Sequence, residues 1–348
     1  MTKSTKVFCI SEKRPNKKKL EYCANLIRKG KLVVFPSETV YGLGANALSK
    51  NAVQSIYKAK GRPTDNPLIV HVSSIKMAEK LVLEIPAIVR KAMGTFWPGP
   101  ITFVLKKKKI VPSQVTCGLD TVGIRFPSNR IARRLIEISD RPIAAPSANL
   151  SGKPSPTKAK HVIEDLNGRV DAIINGGNAS VGLESTVIDV SGDLPILLRP
   201  GGITLEELEK VFGVIDIADS NAKSPKCPGM KYRHYAPNAV FYLFDGKNEN
   251  PKMNRLKLKF NSLRKKGYKV AIIASKESKK IINEKYHDDV FVVGSRTNLL
   301  FLASKIFNVL RKIDRKGYDY ILMTTCPNDG IGRAIMNRIR KAATKVIN

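Results

Sequence analysis

Short apolar runs recur from Leu32 to about Phe212 and alternate with segments of helical periodicity. The runs Leu32–Phe35, Leu68–Val72, Ile101–Leu105, Thr121–Phe126, Pro142–Ala145, Asp171–Ile174, Thr186–Val190 and Ile196–Leu198 read as strands. Asn51–Lys60 reads as a helix, with Asn51 as its N-cap and Gly61 just past its end. Thr157 and Thr204 are N-cap candidates, the second in a capping box with Glu207. So many strands with interspersed helices predict an α/β domain around one mixed sheet. The charge run Lys106–Lys109 reads as a solvated hairpin tip, and no internal repeat occurs.

From about residue 214 to 240 the periodicity lapses into Pro, Gly and polar residues, as a linker would. The pattern restarts after Val240. Lys269–Ala274, Val290–Val293 and Tyr320–Thr324 read as strands, and Asn298–Lys312 and Ile331–Ala343 as helices. This alternation predicts a small parallel-sheet domain. The expected organisation is a first domain over 1–213, a linker or lid over 214–240, and a smaller Rossmann-like α/β domain over 241–348.

A chain of 348 residues is long enough for two ordinary cores, and 43% hydrophobic with 26% charged residues is globular composition. No apolar run approaches the length that spans a bilayer, and the Lys-rich N-terminus lacks the apolar stretch of a secretory signal. The five cysteines are scattered with no CxxC pair, which points to a reducing cytosol and away from a disulfide framework or structural zinc. The net charge of +32 is spread out: residues 1–240 carry +17 and residues 241–348 carry +15. Such a field favours anionic ligands and loose nucleic-acid association, and equally serves to keep a surface solvated.

Candidate chemistry gathers where strands run into loops, as ligand sites do in open α/β sheets. Pro36-Ser37-Glu38-Thr39-Val40-Tyr41-Gly42-Leu43-Gly44 breaks a buried strand, presents hydroxyls and a carboxylate, then offers two glycines. In Lys60-Gly61-Arg62-Pro63-Thr64-Asp65-Asn66-Pro67, the cations Lys60 and Arg62 either clamp phosphate oxygens or complement the helix C-terminus. His71 and Arg125 stand inside otherwise apolar strands. Ala145-Pro146-Ser147-Ala148-Asn149-Leu150-Ser151 ends a strand in neutral donors and acceptors, and Glu184-Ser185-Thr186 and Arg199-Pro200-Gly201-Gly202 complete the set. There is no P-loop, no HExxH and no Cys/His cluster, and Gly330-Ile331-Gly332-Arg333-Ala334-Ile335 is only half a dinucleotide fingerprint.

In this order, Glu38-Thr39-Val40-Tyr41-Gly42-Leu43, Lys60-Gly61-Arg62-Pro63, Asn66-Pro67-Leu68, Ser147-x-Asn149 and Arg199-Pro200-Gly201 resemble the YrdC family of threonylcarbamoyl-AMP synthases over roughly residues 15–212. Pro228-Gly229-Met230-Lys231-Tyr232-Arg233-His234-Tyr235-Ala236-Pro237 and the tail resemble the long, two-domain form. The family's usual Pro-Thr-Glu-Thr stands here as Pro36-Ser37-Glu38-Thr39, which keeps the hydroxyl. The resemblance implies a YrdC-like twisted mixed sheet and a reaction joining L-threonine, bicarbonate or CO2 and ATP into threonylcarbamoyl-adenylate and pyrophosphate, for modification of tRNA.

It also implies residue roles. Lys60, Arg62 and Arg199 would hold ATP phosphates, with Lys60 and Arg62 the catalytic pair, and Asn66, Thr121, Ser147, Asn149 and Ser155 would lie near the nucleotide. Thr39, His71, Arg125, Ala145 (through its backbone) and Ser185 would hold threonine. Mg2+ would arrive with ATP rather than in a protein cage. His234 and Tyr235 would belong to a lid, with Tyr235 reaching the nucleotide. The labile product would pass to a tRNA threonylcarbamoyl transferase complex, with weak RNA binding by the basic surface and no membrane association. Two other readings are an RNA-binding module of the same fold without catalysis and a carbamoyl-transferring maturation factor, whose zinc-finger cysteines this chain lacks.

Overall fold

The structure, a computed structural model, describes residues 4–218, 234–280, 282 and 289–348. Two compact units emerge, one from the described part of residues 1–151 and 155–232, the other from that of 152–154 and 233–348.

The first unit holds β1 (Lys6–Cys9), β2 (Val33–Phe35), β3 (Gly42–Asn46), β4 (Ile69–His71), β5 (Ile101–Lys106), β6 (Thr121–Arg125), β7 (Ile143–Ala144), β8 (Ala172–Asn175), β9 (Thr186–Asp189), β10 (Ile196–Arg199) and β11 (Asp216–Ile217). Its helices are α1 (Lys17–Arg28), α2 (Lys50–Lys60), α3 (Ile75–Glu79), α4 (Ala87–Phe96), α5 (Ser113–Thr116), α6 (Arg130–Ser139), α7 (Ala159–Leu166) and α8 (Leu205–Phe212). The strands form one mixed sheet in the order β1-β8-β2-β3-β7-β4-β6-β5-β9-β10-β11. Parallel pairs such as β4·β6 and β5·β9 alternate with antiparallel ones such as β2·β3 and β5·β6.

The pleat explains why these strands are apolar throughout. In β2, Val34 points into a core with Leu43, Ile56, Val70 and Phe103, whereas Val33 and Phe35 point into another with Leu20, Ile27, Ile131 and Leu135. Both faces are therefore covered by helices, and alternate residues feed opposite layers.

Local signals sit close to where the sequence placed them, with four differences. Ser49, not Asn51, caps α2; its side chain accepts from the Ala52 N–H, while Gly61 closes the helix at φ +60°. Thr157 does not cap α7. That helix starts after Lys158 with no side-chain cap, and the Thr157 N–H donates to His161 Nδ1 instead. The lysine run does not form a hairpin tip either. Lys107 and Lys108 open a connection that includes α5, and their Nζ groups donate to the carbonyls of Val111 and Glu79. Finally, the glycine-rich stretch after Pro36 contains a strand, β3. A Cβ on Gly44 would stand 2.8 Å from both Ile143 Cγ2 and Phe35 Cε1, so glycine lets β3 pass its neighbours. The capping box of Thr204 and Glu207 forms as expected.

The second unit contains β12 (Val240–Phe244), β13 (Val270–Ala274), β14 (Val290–Val292), β15 (Tyr320–Thr324) and β16 (Lys345–Ile347), with α9 (Glu249–Lys265), α10 (Lys276–Lys279), α11 (Leu299–Arg315) and α12 (Ile331–Ala342). Its sheet runs β14-β13-β15-β12-β16 and every pair is parallel, as the strand–helix alternation requires. Met253, Leu256, Phe260 and Leu263 of α9 pack on one face against Val270, Ile272 and Leu322. Among the described residues no helix is long and apolar enough to cross a membrane.

Candidate active site

Where β2 breaks at Pro36, the next three residues are buried: Ser37, Glu38 and Thr39. Ser37 Oγ donates to the Val40 carbonyl at 2.6 Å, lies 2.8 Å from Thr39 Oγ1 and accepts the Thr39 N–H at 3.3 Å, which fixes the turn. Arg125, the last residue of β6, reaches this turn. One guanidinium nitrogen pairs with Glu38 Oε1 at 2.6 Å and another donates to Thr39 Oγ1 at 2.8 Å. The side chains of this ion pair are only 5% and 8% exposed, so each charge depends on the other.

His71 is the register partner of Arg125 across the parallel β4·β6 pair and presents its ring edge-on to Phe35 at 5.8 Å. Burial, reinforced by the nearby Arg125 charge, pushes its pKa down to about 3. The imidazole is neutral at physiological pH and can serve as a donor and acceptor but not as a cation. Ala145, buried just after β7, spends its N–H on the Ile69 carbonyl at 2.9 Å, so its carbonyl is the backbone group left to meet a ligand.

Three strands away, Arg199 at the end of β10 is buried and turns onto Ser185. Its Nε and Nη2 donate to the Ser185 carbonyl at 3.1 and 3.0 Å, and Nη2 also lies 3.2 Å from Ser185 Oγ. Ser185 Oγ in turn lies 2.9 Å from Thr102 Oγ1 of β5. The chain then passes so close to β9 that Gly201 is obligatory, since a Cβ there would stand 2.1 Å from the Thr186 nitrogen.

The third group surrounds the loop after β7. Lys60, the last residue of α2, is buried to 2% exposure and donates from Nζ to the carbonyls of Ser147 and Asn149, while the Ser151 N–H returns a bond to the Lys60 carbonyl at 3.0 Å. Ser147 itself bridges to Gly42 of β3. Ser155 Oγ donates to Glu184 Oε1, a contact between two buried side chains. Arg62, half-buried, closes its own loop by donating to the carbonyls of Asn66 and Pro67 at 3.0 and 3.3 Å. The Asn66 side-chain oxygen is buried without a hydrogen-bond partner among the described residues.

Thr39, Arg125 and His71 thus converge, as do Ser185 with Arg199 and Lys60 with Ser147 and Asn149. The strands that carry most of them, β3, β7, β4, β6, β5, β9 and β10, are consecutive in the sheet. Thr121 stands apart from Arg125. It opens β6 while Arg125 ends it, about 13 Å away along an extended strand, and it lines a cleft with Pro67, Thr102 and Thr116. Tyr235 is buried in the second unit, where its ring stacks on Phe307 at 5.2 Å and the Arg338 guanidinium lies 5.8 Å from its centroid. The His234 ring is 5.7 Å from that of Tyr235, and Lys231, Tyr232 and Arg233 lie outside the described residues.

Three partner contacts come only from the structure: Glu38 holds Arg125, Thr102 holds Ser185, and Glu184 holds Ser155. Glu38 and Glu184 belong to the candidate segments of the sequence, whereas Thr102 does not. The one available sequence signal for Thr102 is a lone hydroxyl in the apolar run Ile101–Leu105.

Residues 25–201 match the Sua5/YciO/YrdC family, described as telomere recombination, and residues 203–344 match the threonylcarbamoyl-AMP synthase C-terminal domain. The threonylcarbamoyl-AMP synthase of Pyrococcus abyssi is 49% identical, with 93% of this chain and 94% of that one covered. That of Bacillus subtilis is 44% identical, with 98% of each covered. In three dimensions, P. abyssi Sua5 complexed with L-threonine superposes with a TM-score of 0.92 at 46% identity, covering 99% of both chains. With both family matches in sequence along one chain, and full-length relatives sharing them, the chain belongs to the two-domain Sua5 family of threonylcarbamoyl-AMP synthases.

Proposed function

We propose that the first domain converts L-threonine, bicarbonate or CO2, and ATP into threonylcarbamoyl-AMP and pyrophosphate, for threonylcarbamoylation of tRNA. The observation that carries this reading is the buried turn at Ser37–Thr39 with Arg125 and neutral His71 against it, in a chain whose fold matches the threonine-bound P. abyssi protein.

Both bond-forming steps use nucleophiles supplied by the substrates. The threonine amine attacks the carbon of CO2 and loses a proton, giving a carbamate. A carbamate oxygen then attacks the α-phosphorus of ATP, and the bond to the β-phosphate oxygen breaks to release pyrophosphate. The protein's task is positioning and charge stabilisation. Arg125 offers a fork for the amino-acid carboxylate, and Glu38 sets its orientation. Thr39, Ser185, neutral His71 and the Ala145 carbonyl supply short-range polar contacts for the hydroxyl and amine. Lys60, Arg62 and Arg199 supply positive charge toward the phosphates, with Asn66, Thr121, Ser147, Asn149 and Ser155 along the nucleotide. Mg2+ would arrive with ATP rather than in a protein cage. When bound, it would supply positive charge beside the phosphates that Lys60, Arg62 and Arg199 also serve.

The test is pyrophosphate release from ATP with threonine and bicarbonate supplied together or omitted in turn. Release should require both. Release that proceeds equally without threonine refutes the assignment. The module that binds RNA without catalysis is disfavoured by the full-length synthase relatives.

A further inference from the structure

The second domain has a feature that the chemistry above leaves unused. Its strand order, β14-β13-β15-β12-β16, makes β12 and β15 neighbours whose connections leave in opposite directions. From β12 the chain crosses through α9 to β13 on one side, and from β15 it crosses through α12 to β16 on the other. This is a topological switch point, where the loops following two adjacent parallel strands diverge and open a crevice at their carboxyl ends.

That crevice is lined with charge. Asp245 follows β12, Thr324 ends β15 and Thr325 follows it, and Glu249, Lys252 and Arg255 lie on successive turns of α9. Lys252 is more than nine-tenths buried, with Nζ 3.2 Å from Thr325 Oγ1 and 3.1 Å from Glu249 Oε2. Arg296, from the segment between β14 and α11, pairs with Glu249 and reaches Thr324 Oγ1 at 3.2 Å. Arg340 of α12 pairs with Asp245 at 3.2 Å, and Arg255 donates to the Asp245 carbonyl.

A purely structural network would balance its charges, because desolvating an unmatched ion is costly. Here the side chains of four cations, Lys252, Arg255, Arg296 and Arg340, meet two carboxylate residues, Asp245 and Glu249, while a third carboxylate, Glu277, accepts the Arg296 backbone N–H at 3.2 Å. Among the described residues the bonds of the Arg296 and Arg340 side chains all come from Nη2, which leaves Nε and Nη1 of each as spare donors. Both side chains are partly open to solvent, at 25% and 43% exposure. The helix that starts beside the crevice after Asp245, α9, has no side-chain N-cap, so its positive end adds to the same polarity, whereas in α12 the Gly332 and Arg333 N–H groups bond to the carbonyls of Asp329 and Gly330.

We propose that the crevice between the ends of β12 and β15 is a phosphate-binding site of the second domain, built from Lys252, Arg255, Arg296 and Arg340. The chemistry is shared by inorganic pyrophosphate and by the phosphate chain of a nucleotide, and guanidinium forks suit either.

The experiment is amide hydrogen exchange on the full chain, read in peptides covering residues 245–252 and 324–333, with inorganic pyrophosphate and ATP titrated separately. Arg62→Ala serves as the background, so that first-domain phosphate binding is already impaired. Protection of both peptides by pyrophosphate means the phosphates alone suffice, and protection by ATP only means a nucleotide is required. Either result supports the site. Arg296→Gln combined with Arg340→Gln should raise the half-protecting concentration about tenfold or more, and Arg340→Gln alone covers the case in which the double variant folds poorly. No protection by either probe, or an unchanged half-protecting concentration in the variants, overturns the proposal. Because the readout is local, failure of the threonine-activation reading would appear in the pyrophosphate-release assay and leave this result untouched.

Discussion

Replacing Gly201 by alanine tests whether the geometry around Ser185 and Arg199 matters to catalysis. An alanine Cβ would sit 2.1 Å from the Thr186 nitrogen, 2.4 Å from the Ser185 carbonyl carbon and 2.6 Å from the Glu184 oxygen. All three are backbone atoms, so no side chain can swing aside. Moving from 2.1 Å to the 3.4 Å at which ordinary contact begins requires a displacement of about 1.3 Å. The displaced segment carries Glu184 and Ser185, and through Ser185 it carries the anchor of Arg199. Overpacking of this kind costs about 1–3 kcal/mol, and a backbone clash belongs at the upper end, which lowers the melting temperature of a domain this size by roughly 6–12 °C. A misplacement of about 1 Å in a positioning group costs on the order of a hundredfold in turnover. The assay is pyrophosphate release at a temperature where circular dichroism shows the variant folded. Gly192→Ala is the control, since a Cβ there meets nothing within 4 Å. Wild-type turnover and melting temperature in Gly201→Ala would refute the argument.

Arg62→Ala should lower turnover about tenfold or more, the loss of a charge-assisted contact worth about 1.5–3 kcal/mol. It should also cost a few degrees of stability, because Arg62 ties down the carbonyls of Asn66 and Pro67. Undiminished pyrophosphate release would remove it from the site. Valine should be nearly inert and serine a weak substrate, since a pocket that bonds a hydroxyl rejects the analogue lacking it most strongly; valine turning over like threonine would refute the hydroxyl contacts. His71 has a folded pKa of about 3 against an ordinary 6.5. Between those values the unfolded chain binds the extra proton, so stability is lost as pH falls from 6.5 toward 3. Melting curves of His71→Asn should show a shallower acid slope than wild type, and parallel slopes would contradict the buried neutral ring.

Much of the architecture was legible in the chain because its signals are local. Short continuous apolar runs, the glycine after Lys60 and the Thr204–Glu207 capping box each act within a few residues, and the structure keeps them. The motif order likewise placed the candidate site on loops following strands. Tertiary structure decided what depends on contacts between distant segments. Glu38 meets Arg125 because the strand order β2-β3-β7-β4-β6 brings the end of β6 to the turn that follows β2, a pairing of residues 87 positions apart that no local pattern encodes. β3 read as a loop because its glycines are poor strand formers, yet Gly44 is there to let Phe35 and Ile143 pass. The resemblance implied Arg199 as a phosphate ligand, and only the structure shows that its guanidinium rests on Ser185, at the end of a strand paired with β9. In the second domain, Asp245, Lys252, Arg296 and Arg340 look like scattered surface charge along the sequence. Only the strand order, which sends successive crossovers to opposite sides of β12 and β15, draws them into one crevice. Helix caps and alternation are short-range effects written residue by residue, whereas strand order and buried charge pairing are settled by which packing excludes the most water while leaving no ion alone.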